Sequence, residues 1–241
     1  MPHAAFALFL TLLSLAAAAQ PASSLAPRVR VETSEGDFVI ELDAVRAPLT
    51  AENFLRYVRD GAYDGTVFHR VIPNFVVQGG GFDEKLAPRT ARAPIPNESG
   101  NGLSNRRGTV GLAREDSPHS GSAQFYFNLV DNLGLDPLPS RWGYAVFGRV
   151  IEGMELLSGL PRGPAPMGFY TDKRQRVPIE SVRLAADLPP AQRPQIEVLR
   201  TDSATFAKLV EAKRNRRDAF YAVPAGKIDL CSIAIPSREK K

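Results

Sequence analysis

Cysteine occurs once in this chain of 241 residues, at Cys231, and histidine three times, at His3, His69 and His119. A single cysteine excludes an intramolecular disulfide. With so few thiol and imidazole groups, one of them at the very start of the N-terminal segment, no zinc centre is expected, nor any other metal or cofactor. Excess charge of one sign is also scarce: the net charge is +4 and 23% of residues are charged, an ordinary globular surface. From Leu188 onward 11 Lys and Arg stand against 6 Asp and Glu. The body is therefore near neutral and shows no basic footprint for nucleic acid. Gly79-Gly80-Gly81 lacks the spacing of a phosphate or dinucleotide loop and reads as a sharp strand turn. The one long apolar run, Ala4–Ala19, is too short to span a bilayer comfortably.

That run ends in small residues, with Ala17 and Ala19 in an A-x-A pattern. Residues 1–19 therefore read as a secretory signal peptide, although the start carries no Lys or Arg. Its removal leaves nothing for stable membrane insertion. An exported protein without disulfides fits a periplasmic or secreted location of bacterial type.

The rest of the chain is dominated by short strand-like runs. Arg28–Thr33 and Phe38–Leu42 alternate apolar and polar residues around the turn Ser34-Glu35-Gly36-Asp37, a hairpin pattern. Pro48 opens a helix that buries Ala51, Phe54, Leu55 and Val58 on one face and stops at Gly61. Further strands are expected at Thr66–Val71, Phe75–Gln78, Thr109–Leu112, Phe125–Leu129, Tyr144–Val150 and Ile179–Leu184, with a short helix at Gly153–Ser158. Many short strands with Gly-rich turns and two peripheral helices argue a mainly β fold, a closed antiparallel barrel. Such a barrel has no edge strand to protect, which suits a monomer. The proline-rich stretch from Leu188 marks a boundary, giving a domain at residues 28–187 and a basic α+β extension at 188–241. In the extension, Asp202 or Ser203 caps a helix running to about Arg217, with Phe206, Leu209, Val210 and Lys213 at helical spacing. A strand pair is expected over Ala222–Ile235, with Cys231 as a small buried hydrophobe.

The segment Phe68–Phe82 carries one arginine, Arg70, and one glutamine, Gln78, among aromatic and branched residues. Arg70 cannot lose its charge at any working pH, so it is neither an acid–base group nor a nucleophile. A fixed cation on an apolar wall suits stabilisation of charge that shifts within a neutral substrate. His69, by strand alternation, faces away from Arg70 and packs on the barrel side. His119, in a Ser/Gly loop, is solvated. Trp142 is expected beside the groove entrance, and Lys213–Arg217 as an exposed helix end.

Four blocks, FHRVIPNFVVQGG (Phe68–Gly80), GTVGLAR (Gly108–Arg114), SAQFYFNL (Ser122–Leu129) and YAVFGRV (Tyr144–Val150), resemble cyclophilin-type peptidyl-prolyl cis/trans isomerases. The likeness runs from about Val29 to Leu184. It implies an eight-stranded barrel capped by two helices, with an outer-face groove for proline-containing polypeptides. It also implies a catalytic role for Arg70 with Gln78 beside it. Phe75 and Tyr126 match the aromatics of the proline pocket, Leu112 and Leu135 its apolar positions, and Ala113, Gln124 and Tyr144 other groove positions. Tyr126 stands where phenylalanine is usual, Gly134 where many eukaryotic members have tryptophan, and Tyr144 where many have histidine. The alternative reading is a binding module or chaperone-like factor for proline segments, with the extension docking a partner.

Overall fold

The computed structural model describes residues 25–217, Val223, Ile228, Ile233 and residues 235–239. The signal-like run, Cys231 and most of Ala222–Ile235 lie outside the described residues. The first eight strands are β1 (Arg28–Thr33), β2 (Gly36–Leu42), β3 (Thr66–Val71), β4 (Val76–Asp83), β5 (Thr109–Leu112), β6 (Phe125–Asn128), β7 (Val146–Glu152) and β8 (Val177–Leu184). They close into an antiparallel barrel in the order β1-β2-β7-β5-β6-β4-β3-β8. The expected barrel is thus present. One reading is corrected: Gly79-Gly80-Gly81 lies within β4 and is not a turn. The β3–β4 register shifts between Thr66 and Phe68 and between Phe68 and Arg70, so bulges take up the irregularity that a turn was expected to make.

The barrel interior is filled, not hollow. Phe38, Phe68, Phe125, Phe127 and Phe147 are all fully buried. Phe38 meets Phe127 edge-on at 5.2 Å, and Tyr63 meets Phe125 edge-on at 5.1 Å, the arrangement that ring quadrupoles favour. Helix α1 (Pro48–Arg59) covers one end and buries Ala51, Phe54, Leu55 and Val58, as its spacing demands. Its N-cap residue, Ala47, has no side chain for the free amides of the first turn. Glu98 takes that part: its carboxylate accepts from the Leu49 and Thr50 amides at 3.0 and 2.7 Å. Helix α2 (Met154–Gly159) covers the other gap with Leu157. With the inside packed, any ligand groove must lie on the outer wall.

The extension adds β9 (Ile196–Val198), α3 (Ala204–Arg214) and β10 (Ser237–Glu239), with β9 and β10 paired antiparallel. Ser203 caps α3, its hydroxyl accepting from the Phe206 amide at 3.1 Å. No side chain of α3 is fully buried. Ile196 packs on Val39 and Ile151 in a small cluster separate from the main core. The Arg28 guanidinium donates to the Ile196 carbonyl at 2.7 Å, and Ser237 Oγ donates to the Ile151 carbonyl at 2.6 Å. The extension therefore docks on the outer wall of β2 and β7. In the closed strand order β2 lies four places from β4, and β7 four places from β3. A chain truncated after Ala186 is expected to keep kcat/KM within about threefold, while losing about 1–3 kcal/mol of stability through exposure of this small apolar contact. Side-by-side turnover and melting curves check it. Loss of activity in a truncated domain that remains folded would move the boundary.

Candidate active site

Register assembles the site. Arg70 on β3 stands opposite Gln78 on β4, Gln78 opposite Tyr126 on β6, and Tyr126 opposite Gly111 on β5. Directly opposed residues share a sheet face. These four form one row across four strands, while the next row, Val71, Val77, Phe127 and Val110, belongs to the core. At Gly111 an added β carbon would come within 2.3 Å of the Tyr126 ring. Glycine is therefore what lets the tyrosine lie flat across its neighbouring strand.

Arg70 is held from several sides. Nη1 donates to Gln78 Oε1 at 3.0 Å, and Gln78 Nε2 donates onward to Gln124 Oε1 at 2.9 Å. Nε donates to the Met167 carbonyl at 2.8 Å. The guanidinium lies over the Phe169 ring, 5.2 Å from its centre. Among the described residues Nη2 makes no hydrogen bond, so the open edge of the guanidinium is its free donor. Partial burial lowers the Arg70 pKa, but a guanidinium starts so high that it stays charged.

The apolar side is organised by two asparagines, Asn105 buried and Asn132 half-buried. Tyr126 is 4% exposed, and its hydroxyl donates to Asn105 Oδ1 at 2.6 Å. Burial pushes that phenol well above its usual pKa, so it remains a neutral donor. The Asn132 amide donates to the Asn105 carbonyl at 2.7 Å, and Asn132 Nδ2 to the Phe75 carbonyl at 2.9 Å. Leu135 N donates to the Asn132 carbonyl at 2.8 Å, and Tyr144 N to the Leu135 carbonyl at 2.9 Å. Phe75, Tyr126, Leu135 and Tyr144 are thus tied to one polar hub. Tyr144 meets Tyr126 edge-on at 6.0 Å and carries the Arg114 guanidinium on its ring at 4.4 Å. Arg114 itself donates to the carbonyls of Trp142 and Gly143. Ala113 flanks the row, its amide donating to the Gln124 carbonyl at 2.9 Å.

Two readings are corrected. Leu112 was expected in the proline pocket, but it opposes Phe125 and belongs to the barrel core. The strand's two-residue repeat turns it away from the face that carries Tyr126. Val76 takes such a place instead: two residues before Gln78, it shares the outer face and is buried outside the main core. His69 was expected to face away from Arg70. Phe68 and Val71 both point into the core, and the bulge between them leaves His69 and Arg70 sharing Phe169. The His69 ring stacks on Phe169 at 6.1 Å and meets Phe82 edge-on at 4.8 Å. Burial lowers the imidazole pKa to about 4. His119 is exposed, as expected, yet it accepts from the Asn97 amide at 3.0 Å and meets Trp142 edge-on at 5.0 Å. Trp142 is 47% exposed, beside Arg114 and Tyr144.

The family model for the cyclophilin type peptidyl-prolyl cis-trans isomerase matches residues 28–184, the whole barrel. The chain is 47% identical over 162 residues to peptidyl-prolyl cis-trans isomerase cyp18 of Streptomyces antibioticus, covering 65% of this chain and 97% of that protein. It is 42% identical over 164 residues to peptidyl-prolyl cis-trans isomerase B of Escherichia coli strain K12, covering 65% and 99%. The crystal structure of cyclophilin AquaCyp293 from Hirschia baltica superposes with a TM-score of 0.68 at 22% identity, over 89% of this chain and 92% of that one. That last likeness is one of fold, and it reaches past the barrel into the extension.

Proposed function

The chain belongs to the cyclophilin-type peptidyl-prolyl cis-trans isomerase family, and from that premise we propose that Arg70 drives the reaction by stabilising the twisted X–Pro bond. The chain is an isomerase of this class. Unaided isomerisation crosses a barrier of about 18–20 kcal/mol and takes tens of seconds. The barrier is lost amide resonance. As the C–N bond twists, the proline nitrogen becomes pyramidal and gains a lone pair. A donor aimed there interacts with the twisted state and not with the planar one, which is catalysis by differential binding. The observation that carries this reading is the hydrogen bonding of Arg70: Nε and Nη1 are engaged, Nη2 makes no hydrogen bond among the described residues, and Arg70 shares one cross-strand row with Gln78 and Tyr126. Tyr126, Phe75, Val76 and Leu135 supply the apolar wall of the groove in this reading. That wall grips the proline ring while the acyl side rotates. Gln78 and Gln124 hold the guanidinium in place. A protease-coupled assay on an X–Pro peptide tests the activity. Proline binding without turnover would favour a binding module instead.

The clients we propose are exported proteins. Support comes from the apolar Ala4–Ala19 run and its A-x-A end. Mature protein recovered outside the cytoplasm with its first residues missing would agree, and an uncleaved cytoplasmic chain would not. A closed barrel also fits a monomer acting on unfolded chains.

No group in this mechanism titrates near neutrality. The rate is therefore expected to be flat from about pH 6 to 8, unlike the bell of a general acid–base enzyme. Stability follows a different course. His69 is depressed to about 4 in the folded chain from about 6.5 unfolded, so between those values the unfolded state binds more protons. Stability is then complete above the unfolded pKa and falls as pH drops toward the folded one. Turnover and melting measured across pH 4–8 check both. A bell-shaped rate at constant stability would bring His69 into the chemistry.

A further inference from the structure

The segment from Gly163 to Tyr170 is bonded along the edge of β3 on both sides of Arg70. Tyr170 N donates to the His69 carbonyl at 3.0 Å, Val71 N to the Gly168 carbonyl at 2.8 Å, and Gly163 N to the Val71 carbonyl at 3.0 Å. Phe169 consequently forms a β-bridge with Arg70. Gly168 has φ +71, a conformation that other residues rarely adopt. It turns the chain so that the Met167 carbonyl reaches Arg70 Nε while the next residue, Phe169, lays its ring on the guanidinium. On the ring's other contacts sits His69, nearly parallel at 19°. Phe169 is 45% exposed and Met167 54%, so the barrel core does not account for either side chain.

We propose that Phe169, with the Met167 carbonyl, is a positioning residue for the isomerase reaction: it fixes the guanidinium of Arg70 so that Nη2 points into the groove. The proposal rests on the reading of Arg70 as the transition-state donor. An arginine side chain has several rotatable bonds, and its ordering costs entropy. Gln78 fixes one nitrogen from the groove floor and leaves the plane free to swing about that contact. The Met167 carbonyl fixes a second nitrogen on the opposite edge. Two in-plane contacts with one aromatic face define both the direction and the tilt of the fork. Phe169 pairs with Arg70 on the side of β3 away from β4, with β3 and β4 between it and Tyr126, so its effect on the reaction passes through Arg70.

The test is a double-mutant cycle of Phe169→Ala with Arg70→Ala, with Phe169→Tyr as the conservative variant. Exchange of an X–Pro peptide followed by NMR gives kcat and KM for each. Phe169→Ala is expected to lower kcat about three- to tenfold, with KM within about twofold, the rate equivalent of about 0.7–1.4 kcal/mol. Phe169→Tyr should restore kcat, because it keeps the ring. In the Arg70→Ala background, Phe169→Ala should change nothing further. The Arg70 Nε–H resonance should also move in Phe169→Ala as the ring current is lost. An unchanged kcat in Phe169→Ala overturns the proposal. So does a rise in KM alone, or an equal loss with and without Arg70, either of which would make Phe169 a substrate contact. If Arg70→Ala itself turns over normally, the reading of Arg70 fails first and the proposal with it.

Discussion

Replacing Arg70 by alanine is expected to lower kcat/KM by about 10²–10³, the size of losing one preorganised transition-state donor. The arithmetic allows this and little more. An acceleration of about 10⁵ requires about 7 kcal/mol, and a charge-assisted hydrogen bond in water contributes only about 1.5–3. The remainder falls to the apolar wall that holds the proline ring and keeps water from the guanidinium. Arg70→Ala should therefore leave measurable turnover. Arg70→Lys should also fall well short of wild type. An ammonium on a flexible stem cannot donate to Gln78, the Met167 carbonyl and the substrate in one plane. Arg70 lies partly exposed at the outer wall and makes no ion pair among the described residues, so circular dichroism and melting should stay near wild type.

The second large effect concerns macrocyclic ligands. Where many eukaryotic members have a tryptophan, this chain has Gly134, in the single turn Leu133–Leu135 beside the pocket. Glycine there offers neither an indole donor nor apolar area to a cyclosporin-type macrocycle. A side chain can start from this position without a clash, since an added β carbon at Gly134 meets nothing within 4 Å. Gly134→Trp is expected to tighten inhibition by such ligands by one to two orders of magnitude, about 1.4–3 kcal/mol. Turnover of small peptides should be unaffected. Inhibition constants for both proteins check it, and nanomolar inhibition of the unmodified chain would show that the glycine is no handicap.

Much of this architecture is legible in the sequence because local rules and the fold agree. Strand β1 alternates cleanly and turns into β2 where expected, and α1 has proline at its start, glycine past its end and one apolar face. Arg70 and Gln78 stand out because polar groups among aromatic residues need a reason. Misreadings cluster where the two-residue repeat breaks. The β3 bulge puts His69 on the same side as Arg70, and no count along the strand reveals it. Leu112 looks equally suited to core and pocket, and only its pairing with Phe125 decides. Asn105 and Asn132 are polar residues in loops, unremarkable until the fold closes them over the Tyr126 hydroxyl and the Phe75 carbonyl. One signal pointed there: a tyrosine in place of phenylalanine in a buried pocket calls for an acceptor. Phe169 is about a hundred residues from Arg70, and nothing local links them. The β9–β10 pair joins segments on either side of α3, a pairing with no short-range signature.

In the proposed mechanism Arg70 acts on the twisted bond and not on the bound ground state. The direct measurement follows one X–Pro peptide with wild-type and Arg70→Ala protein, taking affinity from a titration and the on-enzyme exchange rate from NMR line shapes. A Kd within about threefold and an exchange rate lower by about 10²–10³ are expected, the signature of an interaction made in the transition state alone. An exchange rate that holds while affinity collapses would make Arg70 a binding group and contradict the mechanism.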